Sequence, residues 1–226
     1  MRLGVLCSGG KDSIYAASIA MQKEEVVCLV SVVSQNEYSY MFHTPNISLV
    51  PLQAEAAGLP LISIHTEGEK EKELDDLECA LSQARERFGI EGVVSGAIMS
   101  IYQASRLQRI CRDLDMWCFN PLWYADQEEY MASLIGRGFS VLITGVFSAP
   151  FDESWLGRRI DRETLEALKA VAARYRITLT GEGGEFETFV LDAPFFTRKI
   201  VVESASVTYR NYRGVYRIEK ARLVEK

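Results

Sequence analysis

Ser8-Gly9-Gly10-Lys11-Asp12-Ser13 joins the apolar run Met1–Cys7 (MRLGVLC) to the helix-like run that begins at Ile14 (IYAASIAMQ), and its reading decides the fold. The first run has the length of a short buried strand. A glycine pair at such a junction lets the backbone enter φ > 0 and turn its N–H groups inward. The helix start behind it adds unpaired N–H groups and the positive end of a dipole, so a phosphate fits there. Ser8 and Ser13 add hydroxyl donors on either side. The G-x-x-x-x-G-K-[ST] spacing of the common P-loop does not occur in this chain.

Working outward, strands and helices alternate through residues 1–120. Val26–Ser34 (VVCLVSVVS) is β-branched and almost wholly apolar, as expected of a parallel strand covered on both faces. Asn46 is placed to cap a helix that runs to Ala57 and stops at Gly58. Leu61–His65 reads as a third strand. Leu74, Leu77, Leu81, Ala84 and Phe88 mark an amphipathic helix ended by Gly89. Gly92–Ala97 reads as a fourth strand and Ser100–Leu114 as the helix after it. Repeated βαβ units imply a doubly wound parallel sheet with right-handed crossovers, a Rossmann-like α/β fold. Ligands of such sheets sit at the carboxyl ends of the strands, so the turns at Ser8 and at Ser95-Gly96 are expected to face one crevice.

The second half is patterned differently. Gln127–Arg137 and a segment around Leu165, Leu168, Val171, Ala172 and Tyr175 read as helices. Phe139–Phe147, Phe186–Leu191, Ile200–Tyr209 and Val215–Leu223 read as strands, the last two paired around Asn211-Tyr212-Arg213-Gly214. This gives two domains, 1–122 and a smaller α+β domain 123–226, sharing a wall.

Composition narrows the function classes. The chain has 226 residues, 48% of them hydrophobic, enough for a good core. No signal-peptide pattern opens it and no apolar run approaches the ~20 residues of a membrane span, so a soluble protein is expected. The five cysteines are scattered, without C-x-x-C, which argues against a zinc or iron–sulfur site and for a reducing compartment, the cytoplasm. Residues 198–226 hold eight basic side chains against three acidic ones, a net +5, while the rest of the chain carries −11. An acidic body argues against stable nucleic-acid binding. With two histidines, His43 and His65, there is little material for a triad or a histidine metal site.

The second informative stretch is Gly181-Glu182-Gly183-Gly184-Glu185-Phe186-Glu187-Thr188. Three carboxylates in a short glycine-rich turn repel one another unless a cation or hydrogen-bond donors compensate. The stretch therefore reads either as a solvated acidic turn or as a loop that recognises a substrate.

Ser8–Ser13 resembles the pyrophosphate loop of the N-type ATP pyrophosphatases, an adenine nucleotide α-hydrolase-like fold. With Tyr40–Asn46, Ser95–Ile98, Tyr102-Gln103, Arg106, Pro121–Trp123 and Gly181–Thr188, nearly the whole chain resembles the diphthine–ammonia ligase family. The resemblance implies ATP and Mg²⁺, and an acyl-adenylate route that forms an amide from diphthine on elongation factor 2 and ammonium, releasing AMP and pyrophosphate. It implies nucleotide binding by Ser8, Gly9, Gly10, Lys11, Asp12, Ser13, Ser95 and Gly96, and acceptor binding by His43, Tyr102, Gln103, Arg106, Glu182, Gly183, Gly184 and Glu185. Lys11 would offset charge on the leaving pyrophosphate; Asp12 caps its helix, alone or while also holding Mg²⁺ through water. Glu182 and Glu185 would face the trimethylammonium end of diphthine, with Phe186 or Trp123 offering a π face. A homo-oligomer is compatible with this reading. The rival readings are a tRNA-modifying member of the same superfamily and an adenine-nucleotide-binding protein without turnover.

Overall fold

A computed structural model describes residues 1–34, 45–69 and 71–226. The first half is built of β1 (Arg2–Leu6), α1 (Lys11–Ala20), β2 (Glu25–Ser34), α2 (Val50–Ala57), β3 (Leu61–Thr66), α3 (Lys72–Phe88), β4 (Gly92–Val94), α4 (Ile101–Asp113) and β5 (Trp117–Phe119). Its five strands form one parallel sheet in the order β3-β2-β1-β4-β5. From β1 the chain winds outward to β2 and β3, then returns to the other side of β1 for β4 and β5. That reversal leaves a crevice beyond the carboxyl ends of β1 and β4.

Burial explains the composition of these strands. Leu3, Val5, Leu29, Val30, Val93 and Val94 are all buried, because helices cover both faces of the sheet. Gly58 and Gly89 end α2 and α3 at φ 66° and 60°, left-handed conformations that glycine adopts without strain.

The second half contains α5 (Gln127–Gly136), β6 (Ser140–Val146), α6 (Arg162–Ala172), β7 (Phe186–Asp192), β8 (Arg198–Arg210) and β9 (Arg213–Glu225). Its strands form an antiparallel sheet ordered β7-β6-β9-β8. Asn211 and Tyr212 alone make the β8–β9 turn, at φ 52° and 61°, with Arg210 opposite Arg213. Gly214, expected in the turn, instead pairs with Tyr209 inside the ladder. Two basic side chains of this exposed hairpin, Lys220 and Arg222, both bridge Glu203 within it, while Arg198 pairs with Glu55 on α2.

Three sequence expectations change. The fourth strand stops at Val94 rather than Ala97, because Gly96 turns in to lie against the first turn of α1. Trp117–Phe119, too short to read from pattern, is a fifth parallel strand. Asn46 does not cap a helix: at φ 68° it precedes a 3₁₀ turn, Ile47–Leu49, and its amide bonds the Tyr216 carbonyl and the Ile218 N–H on β9.

The largest apolar cluster crosses from one half to the other. It holds Leu3, Val5 and Ile14 of the parallel half together with Met131, Trp155, Phe186 and Val190. The halves thus share a core as well as a wall. No helix among the described residues is long and apolar enough to cross a membrane.

Candidate active site

Beyond Leu6 the chain pairs once more with β2, through the Cys7 N–H and the Val30 carbonyl, and then leaves the sheet. Gly9 turns at φ 84°, and Gly10 is extended at φ −76° as the residue before α1. Only Gly9 of the pair uses the left-handed freedom of glycine. A β-carbon there would also lie 2.9 Å from the Gln53 amide oxygen. Among the described residues, the N–H groups of Ser8 and Gly10 donate to no acceptor, while that of Gly9 turns toward the Cys7 sulfur. Open amides on either side of Gly9, at a helix start, form an anion cradle.

The cradle is held rigidly from behind. The Gly9 carbonyl accepts from Val190 N at 3.0 Å and from Gln53 Nε2 at 2.9 Å, and Gln53, fully buried, also donates to the Val190 carbonyl at 2.8 Å. Lys11 N donates to Thr188 Oγ1 at 3.1 Å. The loop of the parallel sheet is therefore fastened onto β7 of the antiparallel one.

Lys11 is 2% exposed. Its ammonium donates to the Thr180 carbonyl and to Asp12 Oδ2, 3.0 Å away, and lies 5.5 Å from the Phe186 ring centre. A lysine this deeply buried needs such partners. Asp12 does not cap α1; no side chain does. Its second oxygen accepts from Tyr130 Oη at 2.9 Å, and burial together with Asp12 holds the Tyr130 hydroxyl well above the usual phenol range. The Ser13 hydroxyl turns back to the Gly10 carbonyl at 3.1 Å.

The opposite wall comes from β4 and the acidic glycine loop. Ser95 is buried, its Oγ 2.5 Å from Asn120 Oδ1. A β-carbon on Gly96 would sit 2.5 Å from the Asp12 carbonyl carbon and 2.6 Å from Ser13 N, so only glycine fits. Glu182 reaches across the crevice: one of its oxygens accepts from the N–H groups of Ile98, Met99 and Ser100 at 3.3, 2.9 and 3.0 Å. Burial, and then the Asp12 charge, raise its pKa against the pull of those amides.

Between these walls lies a cavity of about 340 Å³. Ser8, Lys11, Asp12 and Ser13 line one side and Ser95, Gly96 and Gln103 another; Thr180, Glu182, Gly183, Gly184 and Glu187 close it. The structure thus brings many of the sequence-selected residues together, and departs from expectation at four places. Gly9 and Gly10, both buried, are absent from the cavity lining, where Ser8 and Lys11 on either side of them stand. Glu185 is absent from this lining. It is 7% exposed, and its carboxylate is spent on Thr178 N at 2.6 Å and Thr178 Oγ1 at 3.0 Å, so it braces the loop from within. Tyr102 and Arg106 stand beside the cavity with Glu71: Arg106 stacks 3.5 Å from the Tyr102 ring centre and ion-pairs with Glu71. His43 lies outside the described residues.

Sequence reasoning selected neither Glu187, Tyr130 nor Gln53. Glu187 lies within the quoted acidic stretch. Phe186 and Thr188, buried on either side of it, line the cavity as well, so the alternation of β7 alone does not single it out. Its carboxylate makes no hydrogen bond among the described residues. Burial pushes its pKa up to about 7; Lys11 opposes the shift, while Asp12 and Glu182 add to it.

Two family models cover the chain. The diphthamide synthase N-terminal domain matches residues 1–118 and the diphthamide synthase C-terminal domain matches 126–224. The chain belongs to the diphthamide synthase family. Proteins named diphthine–ammonia ligase from Homo sapiens and Mus musculus are similar to it at 32% and 33% identity, over 92% and 91% of this chain and 85% and 84% of theirs. The protein of that name from Saccharomyces cerevisiae is 28% identical over 87% of this chain, which spans 33% of that longer relative. A solved structure titled as a predicted subunit of tRNA methyltransferase from Methanocaldococcus jannaschii superposes with a TM-score of 0.44 at 16% identity, over 86% of this chain and 98% of that one. In this diphthamide synthase family member, both glycine-rich loops singled out from the sequence border the same cavity.

Proposed function

We propose that this protein is an ATP-dependent amide ligase that converts diphthine on translation elongation factor 2 to diphthamide, with ammonium as nitrogen donor. The observation that carries the reading is the turn after β1, whose Ser8, Lys11, Asp12 and Ser13 face the acidic glycine loop across one cavity, in a chain similar to diphthine–ammonia ligases along nearly all its length. ATP places its phosphates on the open amides of the turn after β1, with Ser95 and Gly96 on the nucleotide side. Glu182, Gly183 and Gly184 form the acceptor wall, with Gln103 beside them.

A carboxylate is a poor electrophile. Its oxygen attacks the α-phosphorus of ATP, the α–β bond breaks and pyrophosphate leaves. Ammonia then attacks the activated carbonyl and AMP departs with the bonding electrons. The chain's own contribution is positioning and charge. Lys11, fixed by Thr180 and Asp12, offsets charge that builds on the departing pyrophosphate. The buried amide clamp of Gln53 keeps the cradle from yielding as that charge moves.

Magnesium fits as a partner of the phosphates. Among the described residues no three His, Cys, Asp or Glu side chains gather into a metal site. Mg²⁺ is ordinarily held through one or two carboxylates, phosphates and waters, and Asp12, which borders the cavity, supplies that single carboxylate. The ion would add positive charge at the phosphates.

The test is product analysis. Purified protein with ATP, ammonium and diphthine-bearing elongation factor 2 should yield AMP and pyrophosphate, one of each per amide formed. Accumulation of ADP and phosphate, or AMP release that ignores the acceptor, contradicts the proposal.

A further inference from the structure

Glu185 is consumed by Thr178 and one oxygen of Glu182 by the amides ahead of α4, so the acidic loop is a poor counterpart for a bulky cation. A different feature, outside the cavity lining but tied to its walls, suits one. Trp123 and Tyr124 stand out from the turn between β5 and α5, 37% and 65% exposed, their rings edge to face with centres 5.3 Å apart. Tyr124 is held at φ 54°, which a non-glycine residue adopts only when its surroundings impose it.

Those surroundings are both cavity walls. Asn120, at the head of the turn, meets Ser95 Oγ at 2.5 Å. Tyr124 N donates to the Ile98 carbonyl at 2.9 Å, and the Ile98 N–H is one of those that hold Glu182. Gln127, at the foot of the turn, accepts from Leu179 N at 2.8 Å, one residue before the carbonyl that anchors Lys11. The aromatic pair is thus carried on a strap tied to the nucleotide side and the acceptor side together.

Other rings of this protein already carry a cation. Arg106 covers Tyr102, and Arg158 lies 5.0 Å from the centre of Trp155. Among the described residues no cation lies over Trp123 or Tyr124. Asp126 and Glu129, exposed at the start of α5, put negative charge on the helix that the pair leads into. An open aromatic pair with acidic neighbours attracts a quaternary ammonium group, which cannot donate hydrogen bonds and is held by ring faces and charge alone.

We propose that Trp123 and Tyr124 form the subsite for the trimethylammonium group of the acceptor, outside the cavity in which its carboxylate is activated. This rests on the ligase reading above, and it moves recognition of the cation from the acidic loop to the strap.

Two measurements test it. In the ligase assay, Trp123→Leu and Tyr124→Leu should each raise the acceptor KM about tenfold, while kcat and ATP affinity stay within about twofold; Trp123→Phe, which keeps a ring, should recover most of the loss. Independently of turnover, tetramethylammonium should quench the fluorescence of the wild-type protein, and the uncharged isostere tert-butanol should not; the quench should vanish in Trp123→Leu. An unchanged KM in both leucine variants, or equal binding of tert-butanol, overturns the subsite. If wild-type protein makes no acceptor-dependent AMP, the ligase reading fails. The quenching experiment then still decides whether the strap binds a quaternary cation.

Discussion

The two glycine-rich loops invite comparison, because they border the same cavity and spend their polar groups in opposite ways. The loop after β1 keeps the Ser8 and Gly10 amides free and uses the Gly9 carbonyl, through Gln53 and Val190, to stay rigid. The loop before β7 puts two of its three carboxylates to work within the protein, Glu185 on Thr178 and Glu182 on the start of α4, leaving Glu187 without a partner among the described residues. A phosphate site needs unspent donors on a stiff backbone. An acidic loop has to absorb its own repulsion before it can act on anything else. The first loop leaves donors open on a fixed backbone; the second is built largely around holding itself together.

The sharpest break in this comparison comes from glycines. Gly96→Ala places a methyl group against the backbone of Asp12 and Ser13, neither of which can yield. It should cost about 3 kcal/mol by chemical denaturation and lower ATP affinity at least a hundredfold by calorimetry. Retention of wild-type affinity would mean that the turn after β4 is not tied to the nucleotide.

The second test is pH. In the apo protein an unfolded Glu187 gives up its proton near 4.5 and the folded one near 7. Between those values the folded state alone keeps the proton, so stability falls as pH rises, by on the order of 3 kcal/mol in all, and is flat again above 7. Asp12 and Glu182 favour the protonated form and Lys11 opposes it. Denaturant midpoints across that range should lose this slope in Glu187→Gln; an identical slope in the variant would exclude Glu187 as its source.

Glu185→Ala removes the brace on Thr178 and should cost about 2 kcal/mol while leaving ATP affinity alone, as calorimetry beside a denaturation curve would show. A loss of ATP affinity in a folded variant would place Glu185 in the nucleotide site instead. The smallest effect belongs to Gly184→Ala. Its φ of 77° strains a side chain, yet nothing lies within 4 Å of the new methyl group, so about 1 kcal/mol is expected from the same curves.

What could be read from the sequence follows the same division. The parallel sheet was legible because strands covered on both faces write continuous apolar runs, and the turn after β1 because backbone conformation there is written in glycine. Trp117–Phe119 escaped because three residues carry no period. The fates of Asp12, Glu182 and Glu185 escaped for another reason: their partners Tyr130, Met99 and Thr178 are set by tertiary packing, which no local spacing records. Tyr130 in particular reads as one more apolar position on α5, and only its hydroxyl tip reaches the site.

The central claim is that the two loops divide the work, one holding the nucleotide and the other the acceptor. The direct measurement is Glu182→Gln, with ATP affinity from calorimetry set beside acceptor-dependent AMP release. The account predicts ATP affinity within about twofold of wild type and AMP release lowered more than tenfold. Loss of ATP binding in a folded Glu182→Gln protein, with acceptor binding intact, would place the acidic loop in the nucleotide site and contradict it.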